Sequence, residues 1–206
     1  MPLSPATANR TPVHSRRIEI QAFRRDDGFW DLDAALVDVK PADFRLASGI
    51  REGGTPVHDL TLRVTLNHEL DVVDACAIAQ AVPYPGACEQ ITDAYRKLIG
   101  LNLLKNFRQR VREILGETRG CSHLSELATA LPTAALQAFG AQMREASERE
   151  RARAGAPERA PFYIGRCHAM AADGQTVRHY YPKWFRGERA EDRASGSPFA
   201  RGKDIR

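Results

Sequence analysis

Five residues of this 206-residue chain carry side chains whose chemistry could be combined: His58, Asp59, Cys88, Cys121 and His123. Imidazole, thiolate and carboxylate are the groups that zinc accepts in tetrahedral sites, and a catalytic site keeps one position for water or substrate. A metal held by such a set would polarise a carbonyl or activate water, with His58, Asp59 or His123 moving protons. Cys88 and Cys121 are each expected just before a helix, where the helix N-terminus favours the thiolate. His58 should open a strand beside a Gly-rich loop. A blander reading competes for each: free cysteine often packs as a small hydrophobe, and a histidine can simply anchor a loop. Cys76, inside an expected strand, reads as a core residue. Cys167 and His168, on another expected strand, would point to opposite faces, so at most one could join a shared site.

Positioning these groups requires elements that the hydrophobic pattern outlines. Alternation over Arg17–Ala22, a turn at Arg25-Asp26-Asp27-Gly28 and renewed alternation from Trp30 to Val39 predict a β-hairpin. Residues 41–56, with Pro41, Gly49, Gly53, Gly54 and Pro56, read as a loop. Leu60, Leu62, Val64 and Leu66 predict a strand with one apolar face, and Asn67-His68-Glu69 a turn into a fourth strand, Leu70 to about Val82. Helices follow: Ala87–Leu98; one capped by Asn106 with Phe107, Val111, Ile114 and Leu115 on its apolar face; and one from Ser122 to about Arg151 that Pro132 should break or kink. Phe162–Ile164 and Thr176–Tyr181, flanking Asp173-Gly174, suggest a second hairpin. The fold class expected is α+β, an antiparallel sheet with helices packed on one face. Residues 1–13 read as a flexible arm, 14–185 as a single domain with a charged helix end and linker at 145–160, and 186–206 as a disordered tail.

Composition narrows the class. An apolar fraction of 43% suits a globular chain, and no apolar run nears the roughly 20 residues that span a bilayer. The N-terminus lacks a basic segment followed by an apolar one, so the expected compartment is the cytoplasm, where the four cysteines would be reduced thiols or metal ligands. The net charge of +4 comes largely from Arg-rich tails and linkers. Nucleic acid is not an expected partner: the basic-aromatic run Arg178–Arg186 matches no binding motif. Arg108, Arg110, Arg112 and Arg119 read as a solvated helix face paired with Glu113 and Glu117. No GxGxxG, P-loop, HExxH or GxSxG is present, so no nucleotide cofactor is indicated.

A set of short motifs occurs in this order: His14-Ser15-Arg16, Arg25–Gly28 with Trp30-Asp31, His58-Asp59, Tyr84-Pro85 with Cys88, Gly120-Cys121-Ser122-His123-Leu124, Cys167-His168-Ala169 with Asp173-Gly174, and Tyr180-Tyr181-Pro182 with Trp184. In these the chain resembles the bacterial domain-of-unknown-function family DUF2889 over roughly residues 14–185. The resemblance implies that His14 is pinned, closing over the site with Arg16. From Val57 to Phe139 the element order is also similar to the iron–sulfur scaffold proteins of the IscU type. That similarity implies that Asp59, Cys88 and Cys121 match the scaffold's aspartate, middle and last cysteines. Val57 stands where the first cysteine would be and Gly120 where the histidine would be, with His123 falling after the cysteine instead.

The function these readings support is a small metal-dependent enzyme, zinc or iron, acting on a small molecule through Cys88, Cys121 and one or two of His58, Asp59 and His123. The alternative is a non-catalytic chain that carries metal or docks on a larger enzyme. A third option is a cysteine nucleophile without metal at Cys88 or Cys121.

Overall fold

Gly28 has φ of +90°, a conformation that suits glycine, and it closes the turn in which the Arg25 amide bonds the Phe29 carbonyl at 2.9 Å. That turn joins β1 (Ser15–Arg24) to β2 (Trp30–Val39) in an unbroken antiparallel register. The structure, a computed structural model, describes residues 3–187; the expected tail lies almost wholly outside the described residues. β2 pairs in turn with β5 (Pro56–Leu66), and β5 with β6 (Val72–Ala81), all antiparallel, in the order β1-β2-β5-β6. The expected loop 41–56 is partly ordered as a small hairpin, β3 (Phe44–Leu46) with β4 (Gly49–Arg51).

Strand alternation decides which face is buried. Trp30, Leu32, Ala34 and Leu36 of β2 and Leu60, Leu62, Val64 and Leu66 of β5 share the inner face. Against them pack Tyr95 and Leu98 of the 3₁₀ helix Cys88–Leu98, Phe107, Val111 and Leu115 of α1 (Phe107–Leu115), and Leu124, Leu127, Leu131 and Phe139 of α2 (Ser122–Arg153). The outer face is polar: Arg63 grips Asp33, and Thr65 bonds Asp31 at 2.7 Å. Cys76, opposite Arg63, lies on that face and is exposed, not in the core as expected.

Pro132 does not break α2. The helix runs through it with Leu131, Pro132 and Ala135 buried, and the sheet packing on both sides outweighs the one backbone bond that proline removes. The Thr129 carbonyl, one turn earlier, accepts Arg108 Nε at 2.8 Å, so this arginine is not simply solvated, whereas Arg110 pairs with Glu113. Asn106 precedes α1 as expected but sits in the left-handed region at φ of 54° and makes no side-chain cap. Continuity of α2 matters for geometry. Phe139 stacks on Trp30, with ring centroids 4.2 Å apart, at one end of β2. From Phe139 back to His123 the helix rises about 24 Å, and from Trp30 to Asp38 the strand advances about 26 Å. The first turn of α2 therefore lands over the far end of β2.

Contact density divides the chain into two compact units, Met1–Met143 and Arg144–Arg206. In the second, the expected hairpin is absent among the described residues: Thr176–Tyr180 falls in α3 (Gln175–Tyr180) and Tyr181 caps it, its amide bonding the Val177 carbonyl. Six residues of mixed apolar pattern fit either period, and here the helical one prevails. Cys167 and His168 begin a 3₁₀ turn (His168–Met170), so the strand argument about their faces does not apply. The cations of the basic-aromatic run lie over its own rings, Arg178 on Phe185 and Lys183 on Trp184. No described helix is long and apolar enough to cross a membrane.

Candidate functional site

The inner-face alternation of β2 does not end at Leu36. Its next member is Asp38, only 3% exposed. In register, Arg16 of β1 and His58 of β5 flank Asp38 on either side, so one row across three strands carries a guanidinium, a carboxylate and an imidazole. A register irregularity follows at once, between Asp38 and Val39, as is common beside functional sites. His123, from the first turn of α2, completes the group from above.

Four donors converge on the Asp38 carboxylate. Arg16 gives Nε to Oδ1 and a terminal nitrogen to Oδ2, both at 2.8 Å. His14 Nε2 lies 3.1 Å from Oδ1, so the residue preceding β1 is tied to the site, as the motif resemblance implies. His58 Nδ1 is 3.0 Å from Oδ2. His123 Nε2 is 3.8 Å from the same oxygen, and its ring lies 3.9 Å from that of His58, centroid to centroid. Arg16 also reaches Glu126 of α2 at 2.6 Å, fastening strand to helix beside the site.

Asp38, His58 and His123 each offer one ligating atom, and the three atoms lie within 4.8 Å of one another. Of the five residues singled out by chemistry, His58 and His123 are brought together directly. Cys121 stands next to them, its Sγ 3.8 Å from His123 Nδ1, but outside the three-residue group. Cys88 also lies outside that group, half-buried against the core at the start of its 3₁₀ helix. Asp59 faces the opposite side of the sheet, because neighbours on a strand alternate; with its amide turned to donate, Gln80 reaches it at 3.1 Å. Asp38 was not singled out from sequence. The signal was there: a carboxylate in phase with Trp30, Leu32, Ala34 and Leu36. The β3–β4 hairpin beside His58 does frame a cavity of about 440 Å³, but Asp38, His58 and His123 do not line it.

Local structure explains the placement of His123. A Cβ on Gly120 would meet the Leu115 carbonyl oxygen at 2.3 Å, so only glycine permits the tight approach that leads into α2. The Cys121 carbonyl accepts the first helical bond, from Ser125. Tyr95, fully buried, donates its hydroxyl to the Cys121 carbonyl at 2.7 Å, accepts the Cys121 amide at 3.0 Å and meets Ser125 Oγ at 2.8 Å. Tyr95→Phe should cost roughly 1–3 kcal/mol, because it leaves the half-buried Cys121 amide without this partner as well as removing bonds. Urea unfolding of the variant measures this; an unchanged midpoint would mean that the hydroxyl is not what holds the start of α2.

Electrostatics set the protonation. Burial pushes the Asp38 carboxyl up, but the bonds and charge of Arg16, with His58 and His14, outweigh it and hold the group at about 2, against 3.8 ordinarily. Burial pushes His58 down, only partly opposed by Asp38, and both Arg16 and Arg51 push it further. Burial likewise lowers His123, followed by the charges of His58 and Arg16. The folded site thus prefers a carboxylate beside two neutral imidazoles. Below about pH 6.5 the unfolded chain takes up protons that folded His58 and His123 resist, so stability falls as pH drops. A second loss, roughly 2–3 kcal/mol from Asp38, follows between about pH 4 and 2, where the unfolded carboxyl protonates first. Thermal midpoints from pH 8 to 3 should decline in both windows. A midpoint flat between pH 7.5 and 5.5 would contradict the histidine part.

A family model described as a protein of unknown function, DUF2889, matches residues 14–137, the stretch that contains His14, Arg16, Asp38, His58, Cys121 and His123. No curated protein and no solved structure matches the chain.

Proposed function

We propose that this chain, which belongs to the DUF2889 family, binds one divalent transition-metal ion, zinc or iron, through Asp38, His58 and His123, and uses it on a small molecule. The observation that carries the reading is the convergence of three ligating atoms within 4.8 Å at one end of the sheet. Two imidazoles and a carboxylate are a ligand set that suits zinc and non-haem iron alike and leaves coordination positions for water or substrate. Both imidazoles favour the neutral form that ligates, since burial lowers each of them. The metal would supply Lewis acidity toward a carbonyl or a bound water. Cys121, against the second nitrogen of His123, would orient that ring, as groups behind metal-bound histidines do. The cytoplasm, where such thiols stay reduced, is the compartment that fits.

A second reading has its own support. The Asp38 carboxylate already accepts from Arg16 twice, from His14 and from His58, which is the arrangement of an orienting carboxylate behind a histidine base. His58 Nε2 would then move protons without metal. Elemental analysis of untagged protein, followed by zinc titration of the chelator-treated protein, separates the two. One ion per chain is the expected result. A chain that carries no metal and takes up none removes the metal reading and leaves the acid–base one.

A further inference from the structure

We propose that two copies of this chain associate edge to edge through β1, antiparallel, joining their sheets into one. β1 is an outer strand. The other outer strand, β6, is covered at its start by backbone bonds to the following segment, Val72 N to the Leu101 carbonyl and Gly100 N to the Val72 carbonyl, each 2.8 Å. Within Met1–Met143, β1 has no comparable cover: every position but Ile20 is exposed. Proteins blunt a bare edge with proline, a bulge, a short strand or charged side chains. β1 runs ten residues, contains no proline and pairs with β2 without a register shift; of these devices it has only charges, Arg16, Arg17, Glu19 and Arg24, and Arg16 is taken up by Asp38 and Glu126.

Its sequence is complementary to itself in the register centred on Ile18; a register centred on Ala22 also sets Glu19 against Arg25, but only by drawing on the turn beyond β1. A two-fold axis through the sheet keeps faces matched, so it must pass through a residue position. Centred on Arg17 or Glu19, it sets like charges against each other; centred on Ile20, it sets Arg16 against Arg24; centred on Gln21, Arg17 against Arg25. Centred on Ile18, it places Arg17 opposite Glu19 twice, Ile18 opposite itself and Val13 opposite Phe23. Val13, Ile18 and Phe23 are the exposed large hydrophobics of this segment, at 74%, 40% and 44%. Cross-strand pairs of opposite charge and of apolar residues are what stabilise sheets, and like charges opposite each other destabilise them. In this register Arg16 and His14 run beside Ile20 and Ala22 of the second copy, so association also steadies the segment that grips Asp38. The inference stands whether or not the site binds metal.

Sedimentation equilibrium of the full chain should give twice the 22.9 kDa of one copy. R17E and E19R, each alone, put two like-charged pairs in register and should raise the dimer dissociation constant on the order of tenfold or more. The double variant R17E/E19R should restore it. A wild-type chain that stays monomeric up to high micromolar concentration overturns the proposal, as does a dimer indifferent to either single change. I18C in a background with Cys76 and Cys167 replaced by Ser gives a second readout that does not depend on the charge variants. Oxidation should link two copies through position 18, and no linkage counts against this register.

Discussion

Zinc titrated into H58A or H123A is expected to bind on the order of 100-fold more weakly than to the wild-type chain, or not measurably. Outer groups behind a metal ligand are worth about 10- to 100-fold in affinity, so removal of a ligand itself should cost at least the upper figure. The two variants should be alike, since each removes one of the three atoms that converge within 4.8 Å. D59N and C88A serve as internal controls. Asp59 faces the other side of the sheet toward Gln80, and Cys88 packs against the core and is not one of the three converging residues, so neither change should move the affinity. Calorimetric titration at pH 7.5 measures all four. Wild-type binding by H58A and H123A, or a large loss in D59N, would place the metal somewhere other than on Asp38.

Asp38→Ala is expected to be the most destabilising single change at the site, by roughly 3–5 kcal/mol, since it removes one partner of a buried charge pair. The carboxylate is almost fully enclosed and takes four donors, so its loss leaves Arg16, His14 and His58 facing an apolar gap. The lower end of that range is favoured because the Arg16 side chain keeps 32% exposure and can turn toward Glu126 and water. Asp38→Asn keeps the volume but presents donors to donors, and should fall between Ala and wild type. Urea unfolding at pH 7 checks this. A loss under about 1 kcal/mol, the range of exposed ion pairs, would mean that the site is far more open than its geometry indicates.

These expectations rest on a residue that the chain's chemistry did not advertise. His58 and His123 stand out in sequence because imidazoles are few and suit both metal and proton transfer. Asp38 is one of many carboxylates, and it is distinguished only by phase: it continues the inner-face stripe of β2 where another apolar residue is due. Reading that phase required knowing that β2 is buried on one face along its whole length, which packing decides. Cys76 illustrates the same limit in reverse. β6 alternates among Ala, Cys and Ile, all acceptable on either face, and only its register with β5 settles that Ala75 is buried and that Cys76 lies beside Arg63 in solvent.

By itself the sequence determined what is local: the turn at Gly28, the alternating strands, the amphipathic α1, the glycine that admits Cys121 to the start of α2, and the class of fold that these imply. Such features depend on φ/ψ preference and on side-chain period within a few residues, so they are written continuously along the chain. The tertiary structure decided the rest. It laid Arg16, Asp38 and His58 in one row by strand order, carried His123 to them by running α2 unbroken through Pro132, and turned Asp59 away by a single step of alternation. These are relations between residues 20 to 107 positions apart, fixed by the packing of one sheet face against one helix, and no short stretch of sequence contains them.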